Sequence, residues 1–392
     1  MRPAATLHGT AFIAFAPADA ARSAPLLSPI NQRRLRTFNS NKRALWSLWL
    51  FAILFLVTLV SEFVANDRPI LASYKGELLV PALIEYPETK FGGFLAQTIY
   101  RDPFIADEIN ANGWMLWPPI RYGDATVDES LGTNAPAPPS WMLTEDVRCS
   151  RYPLGVDDPA CRNLGNMHWL GTDDQGRDVV ARLLYGFRIS VIFGILLTVA
   201  SSVIGVIVGA VQGYFGGWTD LIGQRLLDVW SSMPSLYVLL IISSVLVPGF
   251  WVLLAILILM SWTSLVGIVR AEFLRARNLE YVAAARALGL SNTSIMLKHL
   301  LPNAMVATLT FMPFIAGGSV STLTSLDFLG LGLPAGYPSL GELLNQGKEY
   351  IFAWWLSLTS FAVISLILLL FVFIGEGVRD AFDPRRTFAG RG

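Results

Sequence analysis

The densest run of side chains able to do chemistry is His168-Trp-Leu-Gly-Thr172-Asp173-Asp174-Gln-Gly176-Arg177-Asp178. Three carboxylates and a histidine so close together have the makings of a metal site, because ionised carboxylates and neutral imidazole are ordinary metal ligands. The same residues also make a purely structural turn. In that arrangement Thr172 or Asp173 caps a helix, Gly171 and Gly176 permit turns, and Arg177 pairs with a carboxylate. The structural reading is the stronger. The other histidines, His8 and His299, are remote in sequence, and a metal site assembled from all three is not expected. The network would instead hold a rigid lip.

Catalytic signatures are missing elsewhere. Gly341 to Gly347-Lys348 lacks the spacing of a phosphate-binding loop, and Glu349 follows where a hydroxyl is needed. Neither H-E-x-x-H nor G-x-S-x-G occurs. The chain should therefore not hydrolyse ATP by itself, and no metal or cofactor is expected in it. A second polar segment runs from Asn278 to Asn303 between very apolar stretches. Glu280 to Leu288 has helical propensity, and Gly289 supplies a left-handed stop. Tyr281, Ala284, Ala285 and Leu288 share one face, with Arg286 beside them. Ala283, Ala284 and Ala287 are small enough for another protein to approach closely. An ordinary amphipathic helix at a membrane surface has the same composition. Ser291 is placed to cap a following helix, and Pro302 suits the first turn of the next span.

Those segments must be positioned by membrane helices. Only 15% of the residues are charged and 53% are hydrophobic, against about a quarter charged in an ordinary soluble domain. Mean hydropathy is +0.51. The apolar residues come in blocks, and six spans can be drawn: 44–64, 189–212, 226–247, 250–269, 303–326 and 354–374. The first has 21 residues, roughly 30 Å of helix and one bilayer core. Pro234 should kink the third, and Pro248-Gly249 should turn it tightly into the fourth. Basic residues before span one (Arg33, Arg34, Arg36, Lys42, Arg43), between spans four and five (Arg270, Arg275, Arg277, Arg286, Lys298) and after span six (Arg379, Arg385, Arg386, Arg391) all fall on one side. The positive-inside rule makes that side cytoplasmic, with both termini there. The expected layout is a flexible cytoplasmic tail 1–43, span 44–64, an external insertion 65–187, a helical core 188–376 with a cytoplasmic loop about 271–302, and a tail 377–392. The stretch 66–163 carries 14 acidic and 8 basic residues, as suits an external segment. Net charge is zero, so nothing points to nucleic acid.

The insertion reads as loops with short helices. Trp114, Trp117, Trp141 and Trp169 either form a small core there or lie on the membrane surface. Ala135-Pro-Ala-Pro-Pro139 is a polyproline-like connector. Cys149 and Cys161, the only cysteines, are favoured to form a disulfide over remaining free thiols, a closure worth about 3 kcal/mol. In the fifth span, Thr308, Ser319 and Thr322 belong to a run of small and hydroxyl residues that packs helices closely or lines a wet path. Pro313 and Gly317-Gly318 would let that span bend. No span interior shows an obvious charge, so an ion-coupled carrier would lack its usual relay.

These residues resemble a known family. Glu280 to Asn303 is similar to the E-A-A-x-x-x-G cytoplasmic loop of ABC-importer permeases, although Ala283 stands where the family often has Glu. The H-x-L-G-T-D-x-x-G-R-D block, Gly213-Tyr-Phe-Gly-Gly-Trp-Thr-Asp220, and Phe328-Leu-Gly-Leu-Gly-Leu-Pro through Pro338-Ser-Leu-Gly341 resemble the C-type permeases of dipeptide and oligopeptide importers. The resemblance covers about 31–388. The long insertion and Asp67-Arg-Pro-Ile-Leu look like the Yej branch, associated with oligopeptide and microcin C uptake. The implied fold is an all-α, six-span, MetI-like type I importer permease in a bacterial inner membrane. It implies a homologous B-type permease, ATPase domains fused in one chain that bring ATP and Mg, and a periplasmic peptide-binding protein, besides membrane lipid. It also implies that Glu280 to Gly289 couples to the ATPase. Asp173, Arg177, Glu342 and Lys348, with His168, Thr172 and Asp178, are expected near the binding-protein dock. A stand-alone secondary transporter or channel, and a membrane-anchored scaffold, are the competing expectations.

Overall fold

The structure, a computed structural model, describes residues 28–383 except 151, 153, 159, 247, 248 and 335. It is mainly helical. In chain order the membrane-type helices are α2 (Lys42–Leu59), α5 (Val179–Phe215), α6 (Gly217–Ser231), α7 (Ser235–Val245), α8 (Phe250–Ser261), α9 (Thr263–Ala276), α12 (Leu301–Phe328) and α14 (Trp354–Phe382). Among the described residues five helices are long and apolar enough to cross a membrane, with α8 and α9 counted together. There are six if α6 and α7, bent by 71° across Pro234, form one broken span. A proline lacks the N–H that would continue the ladder, so the kink expected at Pro234 becomes a full break. The expected bend in α12 does not appear as a break: the helix runs unbroken through Pro313.

Several boundaries differ from the sequence expectation, those of α5 and α14 among them. Helix α5 begins at Val179, ten residues before the apolar stretch, and α14 extends to Phe382. Polar first and last turns belong to these helices because caps and ion pairs, not hydropathy, end them. The basic cluster after span six is described only at Arg379; Arg385, Arg386 and Arg391 lie outside the described residues, as does Pro248 of the expected hairpin turn. The tail expected at 1–43 is not all tail. Helix α1 (Pro29–Ser40), capped by Ser28, packs on α14.

The bundle closes around α5. Its Val179, Leu183, Phe187 and Val191 pack with Val320 of α12, with Leu340 and Leu343 of α13 (Leu340–Glu349), and with Trp355, Leu356 and Ile364 of α14. Further along, Gly205, Gly209 and Gly213 lie one turn apart. A Cβ on any of them would come within 2.6–2.7 Å of a backbone oxygen of Trp262, Val266 or Arg270. Only glycine lets α5 and α9 touch backbone to backbone, a small-xxx-small seam. Helices α6 and α7 bury little against the rest, and Trp218, Ile222, Tyr237 and Ile241 are exposed.

The segment between α2 and α5 is more ordered than the loops expected there. Strands β1 (Leu71–Tyr74), β2 (Glu77–Leu79) and β3 (Gly113–Leu116) form an antiparallel sheet in the order β2-β1-β3, with α3 (Pro103–Asn112) between β2 and β3 in sequence. Strands of three or four residues show too few alternations to register in the sequence. Its core is Tyr74, Leu79, Phe91, Tyr100, Ile105 and Ile109, with Trp117 at the edge. Trp114, Trp141 and Trp169 are exposed, so the tryptophans do not build that core. Cys149 and Cys161 are joined by a disulfide, their Cα atoms 5.4 Å apart.

Candidate functional site

The lip is a buried ion-pair network at the start of α5. Asp178 is the N-cap: its Oδ1 accepts from the Ala181 amide at 2.9 Å, where the helix dipole favours a negative charge. Neither Thr172 nor Asp173 caps this helix, contrary to the sequence expectation. Asp173, fully buried, folds back on its own turn, and its Oδ1 accepts from the amides of Gln175 and Arg177 at 3.0 and 2.8 Å. Thr172 stitches the lip to the proline-rich strap, accepting the Ala137 amide on Oγ1 at 2.8 Å and donating its own amide to the Ala137 carbonyl at 2.9 Å. The Trp355 indole donates to the Thr172 carbonyl at 3.1 Å, which ties the lip to α14. Gly171 has φ +77°, and a Cβ there would lie 2.7 Å from the Ala137 oxygen, so both the turn and the strap require glycine.

Two guanidiniums and two carboxylates balance in the centre. Arg177 Nε donates to Asp173 Oδ2 at 2.6 Å, and its Nη2 reaches Glu342 Oε1 at 3.3 Å. Arg182 is wholly buried. Its Nη2 donates to Glu342 Oε2 at 2.6 Å and to the Tyr337 carbonyl at 3.0 Å, and its Nη1 to the Asp124 carbonyl at 3.2 Å. Asp173 Oδ2 lies 3.4 Å from Arg182 Nε. Glu342 thus pins α13 to α5. Below it, Asp327 of α12 accepts from the Ser339 hydroxyl at 2.5 Å and from the Leu333 amide at 2.8 Å. Ser339 in turn caps α13. Lys348 stays outside the network, exposed, with its ammonium 5.6 Å from the Phe328 ring centre. Sequence reasoning missed the part played by Arg182, Asp128 and Asp327. For Arg182, the signal was its position one helical turn after Asp178.

His168 lies buried between two carboxylates, Nδ1 2.8 Å from Asp178 Oδ2 and Nε2 3.1 Å from Asp128 Oδ2. No cluster suited to a metal occurs among the described residues. Burial alone would lower the imidazole pKa, but the two carboxylates outweigh it and hold it above the ordinary 6.5. Asp174 is likewise raised above 3.8, by burial and by the neighbouring charge of Asp173. Both shifts mean the folded lip binds protons more tightly than the unfolded chain. The stabilisation from His168 should be complete below pH 6.5 and fade as pH rises through its raised folded value. Amide exchange in the lip, corrected for intrinsic rates, should therefore accelerate towards alkaline pH, and His168→Gln should flatten the profile. A wild-type profile as flat as the variant's would refute this.

The second candidate element lies at the other end of α5, roughly 55 Å away along its 37 residues. Helix α10 (Glu280–Ala287) ends in a Schellman turn. The Leu290 amide donates to the Ala285 carbonyl at 3.2 Å, the Gly289 amide to the Arg286 carbonyl at 2.9 Å, and Gly289 sits at φ +76°. Val282 and Ala285 are buried against Tyr214, Phe273, Ile295 and Leu300. Ala285 thus packs within the chain, off the exposed face that the sequence reading gave it together with Tyr281, Ala284 and Leu288. Its register was ambiguous because Ala284 and Ala285 are equally small. Arg286 turns back over the Tyr214 ring at 5.4 Å. Glu280, Tyr281, Ala283, Ala284 and Leu288 remain exposed, Leu288 by 82%. Ser291 caps α11 (Asn292–Ile295), accepting the Ser294 amide at 3.3 Å, and Tyr214 donates to Asn292 at 2.7 Å. Asp220 and Arg270 brace the same end with a pair at 2.7 Å.

Of the residues proposed for a path, Thr308 and Ser319 are buried within the chain, with Ser319 Oγ 3.3 Å from Thr198 Oγ1. Their burial favours close packing, one of the two readings the sequence left open. Only Thr322 lies on the exposed face of α12, with Gly318, Ser321 and Ser325.

Known proteins are similar to this chain in sequence. Residues 184–388 match the family described as binding-protein-dependent transport system inner membrane component. The peptidoglycan transport system permease protein YejE of Agrobacterium fabrum is 63% identical over 364 residues, covering 93% of this chain and 95% of that protein. The inner membrane ABC transporter permease protein YejE of Escherichia coli is 52% identical, covering 92% and 99%. The dipeptide transport system permease protein DppC of Bacillus subtilis is 36% identical, covering 56% and 69%. A family match over more than half of the chain, with likeness over nearly the full length of the first two relatives, leaves one conclusion: the chain belongs to the family of inner membrane components of binding-protein-dependent transport systems.

Proposed function

We propose that the chain is the permease subunit of an ATP-driven importer that carries short peptides, including peptidoglycan-derived and microcin C-like ones, across the inner membrane. The observation that carries this reading is one long helix, α5, with a rigid ion-paired lip at its start and an exposed small-residue helix, α10, packed on its end. Such a helix is a lever arm. Reading α6 and α7 as one broken span gives six spans, and with the basic clusters on one side this supports a topology with α10 and both termini in the cytoplasm and residues 65–178 in the periplasm. The lip residues Asp173, Arg177 and Glu342, with Lys348 nearby, then face a peptide-loaded binding protein. The exposed residues of α10, with Leu288 and Gly289, seat in an ATPase that holds ATP and Mg. A homologous permease completes the path, which Thr322 and its neighbours on α12 line. ATP binding closes the ATPase domains and draws α10 with them. The bundle then changes its open side, because one of its two arrangements fits the closed ATPase better. The cargo class rests on the names of the Agrobacterium and Bacillus relatives and on the resemblance to the Yej branch.

The test is reconstitution of the chain with its neighbours in proteoliposomes. ATPase activity should rise when binding protein and peptide are added together, and labelled peptide should accumulate only with ATP. Accumulation driven by a proton gradient without ATP would overturn the assignment. A muropeptide and a plain oligopeptide compared in the same vesicles would define the cargo.

A further inference from the structure

Helix α1 and the end of α14 enclose a cleft of about 290 Å³ that has no role in the lip or in α10. Its walls are Leu35 and Phe38 of α1 and Val378, Ala381 and Phe382 of α14, with the Arg34 guanidinium 4.4 Å from the centre of the Phe382 ring. An apolar cleft with a cation at its edge matches an amphiphile, a hydrocarbon tail ending in a negative head. The surroundings point the same way. From Ser28 to Ser61 there are five basic residues, Arg33, Arg34, Arg36, Lys42 and Arg43, and no acidic one. Arg36 and Leu35 are exposed, and Trp46 and Trp49 at the start of α2 are exposed by 72% and 59%. Tryptophan at the start of a span and a basic cluster just before it are the anchors of a helix lying at the bilayer surface. Glu376 and Asp380 of α14 face Lys42 and Arg43 across a neighbouring recess, so those two cations are partly offset there. The charge left to meet a headgroup centres on Arg34 and Arg36.

We infer that the cleft between α1 and α14 binds one acyl chain of an anionic phospholipid, with Arg34 and Arg36 holding its phosphate-bearing headgroup. The helix would then be a lipid-gripped strap that fixes the base of α14. The occupant is a lipid and not a soluble anion because the cleft wall is mainly hydrocarbon and α1 leads directly into α2, whose Leu48, Leu50 and Ile53 are exposed.

The test uses the full chain in nanodiscs with photoreactive phosphatidylglycerol or photoreactive phosphatidylcholine. Phosphatidylglycerol should label the peptides spanning 31–38 and 378–382 in preference to phosphatidylcholine. Each arginine removed, in Arg34→Gln and Arg36→Gln, should cut that preference by about five-fold. The Arg34→Lys/Arg36→Lys chain should keep most of it, which separates charge recognition from loss of fold. Equal labelling by both lipids, or labelling confined to other helices, would overturn the inference. So would competition by inorganic phosphate, which would mark a soluble-anion site. Disappearance of the label in the assembled transporter would make the surface a protein contact and equally defeat it. None of these outcomes depends on transport, so the proposal stands or falls apart from the assignment as an importer.

Discussion

Asp173→Asn should lower the stability of the folded chain by about 3–5 kcal/mol, the cost of leaving buried cations without their counter-charge. The substitution is nearly isosteric, and Oδ1 can still accept the Gln175 and Arg177 amides that close the turn. What disappears is the negative charge shared by Arg177 at 2.6 Å and Arg182 at 3.4 Å. Glu342→Gln should cost less, because that side chain is 23% exposed and water can replace part of its charge. Adding Arg177→Met to Asp173→Asn should restore part of the loss, since removing both members of a buried pair leaves no orphan. The midpoint of denaturation in detergent, with membrane abundance as a second readout, measures all four chains. An Asp173→Asn chain as stable as the wild type would mean that water reaches this network.

Ala284→Trp should abolish most transport while leaving the chain folded. Ala284 is exposed, so an indole there has room until a partner arrives. If α10 docks in an ATPase groove, the added bulk should cost docking at least about 1.4 kcal/mol, on the order of ten-fold in affinity. Gly289→Val acts on the same element by another route. Valine at φ +76° is strained by roughly 1–2 kcal/mol, which opens the Schellman turn and swings Leu288 away. The contrast is Ala285→Trp, which should simply fail to fold, because Ala285 packs with Val282 against Tyr214 and Phe273. Co-purification with the ATPase and peptide uptake distinguish these cases. Normal uptake by a stably inserted Ala284→Trp chain would remove α10 from the coupling role.

The two candidate elements differed in how far they could be read from the sequence. Gly289 ending a helix was legible because a left-handed C-terminal turn is a local requirement. Ser291 and Pro302 were legible for the same reason. The lip was legible in composition and not in connection. Arg177 pairing with Asp173 is a contact four residues apart, whereas Arg182 to Glu342 spans 160 residues and needs α13 folded against α5. Arg182, the most deeply buried cation among the described residues, carries no local mark beyond its place one helical turn after Asp178. The glycine seam Gly205, Gly209 and Gly213 had a visible four-residue period, but only the fold shows that α9 lies against it.

By itself, the order of residues determined that this is a multi-span helical membrane chain, and it marked α10 and the block from His168 to Asp178 as the polar places to look. Those properties rest on hydropathy blocks and on capping and turn residues, which act within a few positions along the chain. The tertiary structure alone decided which side of α10 is left free, that His168 sits between Asp128 and Asp178, that Glu342 bridges two arginines, and that α1 closes a cleft on α14. Each of those joins side chains from separate helices or loops. A buried charge or a packed alanine is assigned by what lies across the interface, and local sequence carries no record of it.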